Sequence, residues 1–131
     1  AVRPTGIEMW QKALGVVGLG RIGKGVVRRA KGFGMKILCY DVFHDGEFAK
    51  EYGVEYCDFE TLVKNSDFIT IHVPLSEKTK DMFSYQEFDR MKPRAVIVNT
   101  ARGGIIDEDA LYKALKEGRI AAAGLDGCYS V

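Results

Sequence analysis

The chain has 131 residues, with 19 Lys and Arg against 18 Asp and Glu, a formal net charge of +1, and 47% hydrophobic residues. This length suits one domain with its own core and is too short for two domains of ordinary size. The composition is that of a folded globular protein, which excludes a disordered chain. Because the charge is nearly balanced, we expect no nucleic-acid partner.

Membrane, secretion and metal signals are missing from the sequence. No apolar run approaches the ~20 residues that span a bilayer, and residues 1–12 lack the pattern of a signal peptide. We therefore expect no membrane association and a cytoplasmic location. Cys39, Cys57 and Cys128 are odd in number and widely spaced. This spacing predicts reduced thiols, with neither a disulfide framework nor a metal site.

Short apolar runs alternate with stretches of helical period. The runs indicate strands buried on both faces, as in a parallel sheet covered by helices, and they span residues 14–17, 36–40, 67–73, 95–99 and 120–125. The helical stretches span residues 22–33, 47–52, 59–65, 84–91 and 107–117. Ser84 and Glu87 form a capping-box pattern, and Gly118 stands where a left-handed C-terminal cap is expected. The series predicts an α/β fold with a doubly wound, mainly parallel sheet.

A glycine motif, Gly18-Leu19-Gly20-Arg21-Ile22-Gly23, follows the first run and opens the first helix. That context separates a dinucleotide fingerprint from a chance match. Gly18 would permit the tight turn, Gly20 would let a pyrophosphate approach the backbone, and Gly23 would let the helix pack on the strand. The helix N-terminus would offer N–H groups to the phosphates. The Arg21 side chain is either a phosphate ligand or a solvated residue.

Asp41 ends the second run, directly after Tyr40. The fingerprint expects an acid about 20 residues beyond its last glycine, where it accepts hydrogen bonds from the adenosine ribose. A carboxylate there would repel a 2′-phosphate, so the sequence favours NAD over NADP. The alternative for Asp41 is an ordinary turn residue.

Three further segments close the later runs: His72-Val73-Pro74-Leu75, Asn99-Thr100-Ala101-Arg102-Gly103-Gly104 and Ala123-Gly124-Leu125-Asp126. Together with the glycine motif and Tyr40-Asp41, they resemble the cofactor domain of the D-isomer-specific 2-hydroxyacid dehydrogenases, over about residues 13–127. The resemblance implies a three-layer Rossmann domain over residues 13–131, after a lead-in of residues 1–12.

The resemblance also implies roles for individual residues. Arg102 would bind the carboxylate and carbonyl of a 2-oxo acid, since a guanidinium offers a planar fork of donors; the alternative is a surface arginine paired with Asp107. Asp126 would lie near the nicotinamide, although the residues after it depart from the family pattern. His72 would be structural. The residues expected to contact NAD are Gly18, Leu19, Gly20, Arg21, Ile22, Gly23, Tyr40, Asp41, His72, Val73, Pro74, Thr100, Ala101, Arg102 and Asp126.

The family's catalytic glutamate and histidine, and its substrate-binding domain, have no counterpart in these residues. We therefore expect this chain to bind NAD with little or no turnover by itself, as the cofactor-binding part of an oxidoreductase acting on a small 2-hydroxy or 2-oxo acid. The resemblance leaves two alternatives open: an NAD-responsive corepressor without catalysis, and a formate or phosphite dehydrogenase. It also implies a homodimer, because subunit contacts in the family run largely through this domain.

Overall fold

A computed structural model of the chain describes residues 9–125. Within that range, six strands and five helices alternate. Their bounds are β1 Ala13–Val17, α1 Arg21–Gly32, β2 Lys36–Tyr40, α2 Gly46–Tyr52, β3 Val54–Tyr56, α3 Phe59–Asn65, β4 Phe68–Ile71, α4 Tyr85–Arg90, β5 Val96–Asn99, α5 Glu108–Lys116 and β6 Ala122–Leu125.

The strands form one sheet in the order β3-β2-β1-β4-β5-β6. All five strand pairs are parallel, which confirms the predicted doubly wound sheet. The chain runs outward from β1 to β3, crosses to β4 and runs outward again. The order therefore reverses between β1 and β4, and ligands bind at such a point in open α/β sheets.

The helices lie on both faces of the sheet. Val16 of β1 packs in one core cluster with Val27 of α1 and Phe48 of α2. The next residue, Val17, points to the other face and belongs to a second cluster with side chains of α3, α4 and α5. This alternation along a strand gives the three layers that the sequence predicted.

The predicted and observed elements differ mainly at the sheet edge. No apolar run marked β3, because its Val-Glu-Tyr sequence buries only the valine. The predicted capping box is present, and in it the Ser84 N–H donates to the Glu87 carboxylate at 2.9 Å. Gly118 follows α5 with a φ of +69°, as expected of a left-handed cap. Among residues 9–125, no helix is long and apolar enough to cross a membrane.

Candidate functional site

The glycine loop connects β1 to α1 at the point where the strand order reverses. Gly18 has a φ of +94°, which L side chains rarely adopt. A Cβ there would lie 2.8 Å from Val73 Cγ1, and a Cβ on Gly23 would lie 2.5 Å from the Gly18 carbonyl oxygen. Glycine at both positions therefore allows the loop to pack against the segment after β4 and the helix to approach the loop.

Gly20 differs from the other two glycines of the loop. Its φ of −89° is open to any residue, and a Cβ built on it would meet nothing within 4 Å. Within residues 9–125, the space above Gly20 is thus empty of protein, at the N-terminus of a 12-residue helix. A helix N-terminus carries exposed N–H groups and a partial positive charge, so this space suits a phosphate.

Asp41 lies at the carboxyl end of β2, beside the glycine loop. Its Oδ2 accepts a hydrogen bond from the Leu19 N–H at 2.7 Å, and its Oδ1 accepts one from the Phe43 N–H at 3.1 Å. The Tyr40 carbonyl accepts a hydrogen bond from the Gly18 N–H at 2.9 Å. The acid and the glycine motif, which are separate in the sequence, are therefore in direct contact.

A cleft of about 340 Å³ opens between the glycine loop and the ends of β4 and β5. Three of the sequence segments meet in it, and its lining residues are Gly20, Arg21, Ile22, Gly23, His72, Thr100 and Ala101. The Arg21 side chain is exposed. The size and position of the cleft suit one part of a dinucleotide, with Asp41 at the other side of the glycine loop.

His72 follows β4 and lies half-buried in the cleft wall. Its Nε2 is 2.8 Å from the hydroxyl of Thr70, a buried side chain. Burial lowers the pKa of His72 below its ordinary value, so the imidazole is neutral near neutral pH. This favours a structural role for His72 over a role as a charged group. Val73 next to it is half-buried, and Pro74 is exposed.

Arg102 lies on the loop after β5 and is exposed. Asn99, at the end of β5, is fully buried. Its side-chain oxygen accepts a hydrogen bond from the Ala101 N–H at 2.9 Å, and its amide donates to the Arg102 carbonyl at 3.4 Å. Asp107 caps helix α5 through the N–H groups of Asp109 and Ala110.

A second segment supports the same loop from behind. The Asp81 N–H donates to the Gly104 carbonyl at 2.7 Å, and the Phe83 N–H donates to the Ile105 carbonyl at 3.1 Å. Nearer the cleft, the Thr79 hydroxyl donates to the Pro74 carbonyl at 2.6 Å. These contacts fix the segment after β4 and the Arg102 loop relative to each other.

Sequence reasoning missed two supporting residues, Asn99 and Thr79. Asn99 closes an apolar run with a polar side chain, which was a usable signal. Thr79 carried no signal in the sequence, because its hydroxyl forms hydrogen bonds with the turn just before it, a local pattern common to Ser and Thr.

Asp126 lies outside the described residues. His44, which follows Asp41 by three positions, stacks on Tyr56 with ring centroids 3.9 Å apart.

Sheet order, glycine loop, strand-end acid and cleft together define a dinucleotide-binding domain of the doubly wound class. Comparison with known proteins identifies the family within that class. Residues 2–130 match the family described as "D-isomer specific 2-hydroxyacid dehydrogenase, NAD binding domain". The chain belongs to this family, which confirms the resemblance and NAD as the expected cofactor.

The relatives of the chain include several named enzymes. The chain is 54% identical over 121 residues to a glyoxylate reductase of Korarchaeum cryptofilum, covering 92% of the chain and 36% of that protein. It is 56% identical over 125 residues to a D-3-phosphoglycerate dehydrogenase of Methanocaldococcus jannaschii, covering 95% and 24%. Among solved structures, the D-lactate dehydrogenase of Lactobacillus jensenii with NAD+ matches with a TM-score of 0.88 and 38% identity, covering 95% and 38%. The chain thus spans between 24% and 38% of the length of these three relatives.

Proposed function

We propose that this chain is the cofactor-binding part of an oxidoreductase that interconverts 2-hydroxy and 2-oxo acids. The observation that carries the proposal is that the glycine loop, His72 and the Thr100–Ala101 turn meet around one cleft. Asp41 is hydrogen-bonded to the glycine loop, and Arg102 follows Ala101. The relatives named above, a glyoxylate reductase, a phosphoglycerate dehydrogenase and a D-lactate dehydrogenase, act on acids of this kind.

The chain's own residues supply binding and orientation. The N–H groups at the start of α1 would hold the pyrophosphate above Gly20, and the Asp41 carboxylate would accept hydrogen bonds from the adenosine ribose. Val73, Pro74 and Thr100 would border the cofactor. NAD, when bound, supplies the hydride acceptor of the reaction.

Arg102 would bind the acid substrate. Its guanidinium stays charged at any physiological pH and can hold a carboxylate with two parallel hydrogen bonds. A donor aimed at the carbonyl oxygen also stabilises the negative charge that develops there during reduction. The exposed position of Arg102, one residue beyond the cleft wall, is consistent with this role.

Titration calorimetry with NAD and with NADP tests the cofactor part. We expect NAD to bind with clear preference, since the Asp41 carboxylate would repel a 2′-phosphate. Replacing Asp41 with Ala should lower the ratio of NAD affinity to NADP affinity. An unchanged ratio would remove Asp41 from the ribose site, and binding of neither cofactor would overturn the proposal.

The substrate part is tested in the whole enzyme that we propose to contain this chain. The substitution Arg102→Gln should lower kcat/KM for glyoxylate, pyruvate or hydroxypyruvate by about a hundredfold or more, which is typical of a lost charge-stabilising donor. Arg94→Gln is the matched control, because Arg94 is exposed and precedes β5, at the end of the strand opposite to Arg102. Equal kcat/KM for the two variants would remove Arg102 from the substrate site.

We also propose that the protein is cytoplasmic and forms a homodimer. The dimer rests on the family resemblance, since subunit contacts in the family run largely through this domain. Light scattering at micromolar concentration tests the dimer. A monomeric mass would contradict it.

A further inference from the structure

The two oxygens of the Asp41 carboxylate are already bonded to backbone in this structure. Oδ2 accepts from the Leu19 N–H at 2.7 Å and Oδ1 from the Phe43 N–H at 3.1 Å. Leu19 is the residue between the first two glycines of the loop. A side chain at the end of β2 thus holds the loop at its centre, next to the backbone bond from the Gly18 N–H to the Tyr40 carbonyl.

These bonds leave room for a ligand. An ionised carboxylate has about four acceptor positions, and the two N–H groups occupy two of them. Two positions remain, as many as the 2′- and 3′-hydroxyls of one ribose require. Binding a ribose therefore does not require Asp41 to release Leu19.

The loop needs such support because its glycines restrict the backbone weakly. Gly18 adopts a positive φ, and Gly20 meets no neighbouring atom on its open side. Leu19 between them has a buried side chain, and its N–H is the one that Asp41 accepts. Fixing this N–H holds the start of α1 in position before a phosphate arrives, and such preorganisation raises affinity by lowering the ordering cost of binding.

We propose that Asp41 is a positioning residue for the phosphate-binding loop, in addition to the ribose role on which this inference builds. Through the Leu19 N–H it would strengthen the binding of the diphosphate itself, a group that it does not touch. The prediction is that removing Asp41 weakens ligands that have no ribose hydroxyls.

The test compares ADP with 2′,3′-dideoxy-ADP by titration calorimetry on the 131-residue chain. With Asp41→Ala we expect dideoxy-ADP to bind about tenfold more weakly, the effect of losing one hydrogen bond to a charged acceptor, and ADP to lose more affinity than that, because its ribose bonds are lost as well. Asp41→Asn keeps an acceptor oxygen for Leu19 and should retain most of the dideoxy-ADP affinity. If Asp41→Ala weakens ADP but leaves dideoxy-ADP within about twofold, Asp41 contacts only the ribose and the proposal is wrong.

Loss of charge needs its own control, because removing a carboxylate should by itself favour an anionic ligand. Asp45→Asn removes a neighbouring carboxylate that accepts from the Phe48 N–H at 3.1 Å and pairs with Lys24 at 2.6 Å. Asp45 makes no bond to the glycine loop among the described residues. We expect dideoxy-ADP affinity in this variant to equal or exceed that of the parent chain, and a loss of about tenfold here would overturn the assignment to Asp41.

A measurement without ligand separates this inference from the proposed function. Amide hydrogen exchange followed by NMR should show Leu19 exchanging about tenfold faster in Asp41→Ala than in the parent chain, with amides of α5 unchanged. Unchanged exchange at Leu19 would overturn the positioning role even if NAD binds. Failure of the parent chain to bind NAD or ADP would instead overturn the proposed function, while the exchange result still decides the role of Asp41 in the loop.

Discussion

Two loops border the candidate cleft, and they are held in place by different means. The glycine loop depends on the absence of side chains: Gly18 adopts a positive φ, and Gly23 lies where a Cβ would meet a carbonyl oxygen at 2.5 Å. The Arg102 loop depends on hydrogen bonds, above all those of the buried Asn99 side-chain amide. Backbone bonds from the Asp81 and Phe83 N–H groups to the loop add to them. The glycine loop therefore tolerates no added side chain at Gly18 or Gly23, whereas the Arg102 loop tolerates no loss of the hydrogen bonds made by Asn99.

The difference matches what each loop is proposed to bind. A pyrophosphate is recognised by backbone N–H groups, so the backbone itself must be exposed and close. A substrate carboxylate is recognised by a long side chain, so the backbone below Arg102 must be rigid while the guanidinium reaches outward. Substitutions in the two loops should accordingly fail in different ways.

The largest expected effect is at Gly23. Gly23→Ala places a methyl group 2.5 Å from the Gly18 carbonyl oxygen, and such overpacking should lower the free energy of unfolding by about 3 kcal/mol. Gly20→Ala is the matched control, because its Cβ meets no atom of the described residues within 4 Å; it should lower stability by less than about 1 kcal/mol while weakening NAD binding. Urea unfolding and calorimetry measure the two quantities. Equal stability of the two variants would contradict the role of Gly23 in packing.

The second effect is at Asn99, in the other loop. Asn99→Ala removes the 2.9 Å partner of the Ala101 N–H from a fully buried position, and should cost about 2 kcal/mol of unfolding free energy. Asn65→Ala is the control: Asn65 is exposed, and its amide donates only to the Thr61 carbonyl among the described bonds. We expect that control to change stability by less than about 0.5 kcal/mol. A loss at Asn65 as large as that at Asn99 would contradict the argument from burial.

The two loops also differ in how far the sequence could predict them. Glycine spacing reports backbone requirements directly, so the turn at Gly18 and the close approach at Gly23 could be expected from the motif alone. The hydrogen bond from the Leu19 N–H to Asp41 joins the ends of β1 and β2 through a side chain. It could not be predicted from the motif, because the fingerprint assigns that acid to the ribose alone. Most helix bounds fell within one residue of the prediction, since periodicity and caps act locally, whereas the edge strand β3 buries too few side chains to leave a pattern.

The third effect is at Thr79, whose side-chain hydroxyl is hydrogen-bonded to the backbone of the segment after β4. Thr79→Val keeps the shape of the side chain but removes the hydroxyl that donates to the Pro74 carbonyl and accepts from the Ser76 N–H at 2.8 Å. We expect a loss of about 1 kcal/mol of unfolding free energy and a modest decrease in NAD affinity. Thr79→Ser, which keeps the hydroxyl, should restore both. Failure of Ser to restore them would assign the effect to the methyl group and not to the hydrogen bonds.

The smallest effect is a pH dependence at His72, which lies between the two loops. Because burial lowers its pKa in the folded state, the unfolded chain binds more protons below the ordinary histidine pKa of about 6.5, and unfolding becomes more favourable as pH falls. His72→Gln should therefore flatten the decline of unfolding free energy from about pH 7 to about pH 5. His44→Gln, which removes the only other histidine of the sequence, shows whether the slope belongs to His72. A steeper decline in His72→Gln would mean that the folded state favours the protonated imidazole, and would reopen a charged role for His72 in the cleft.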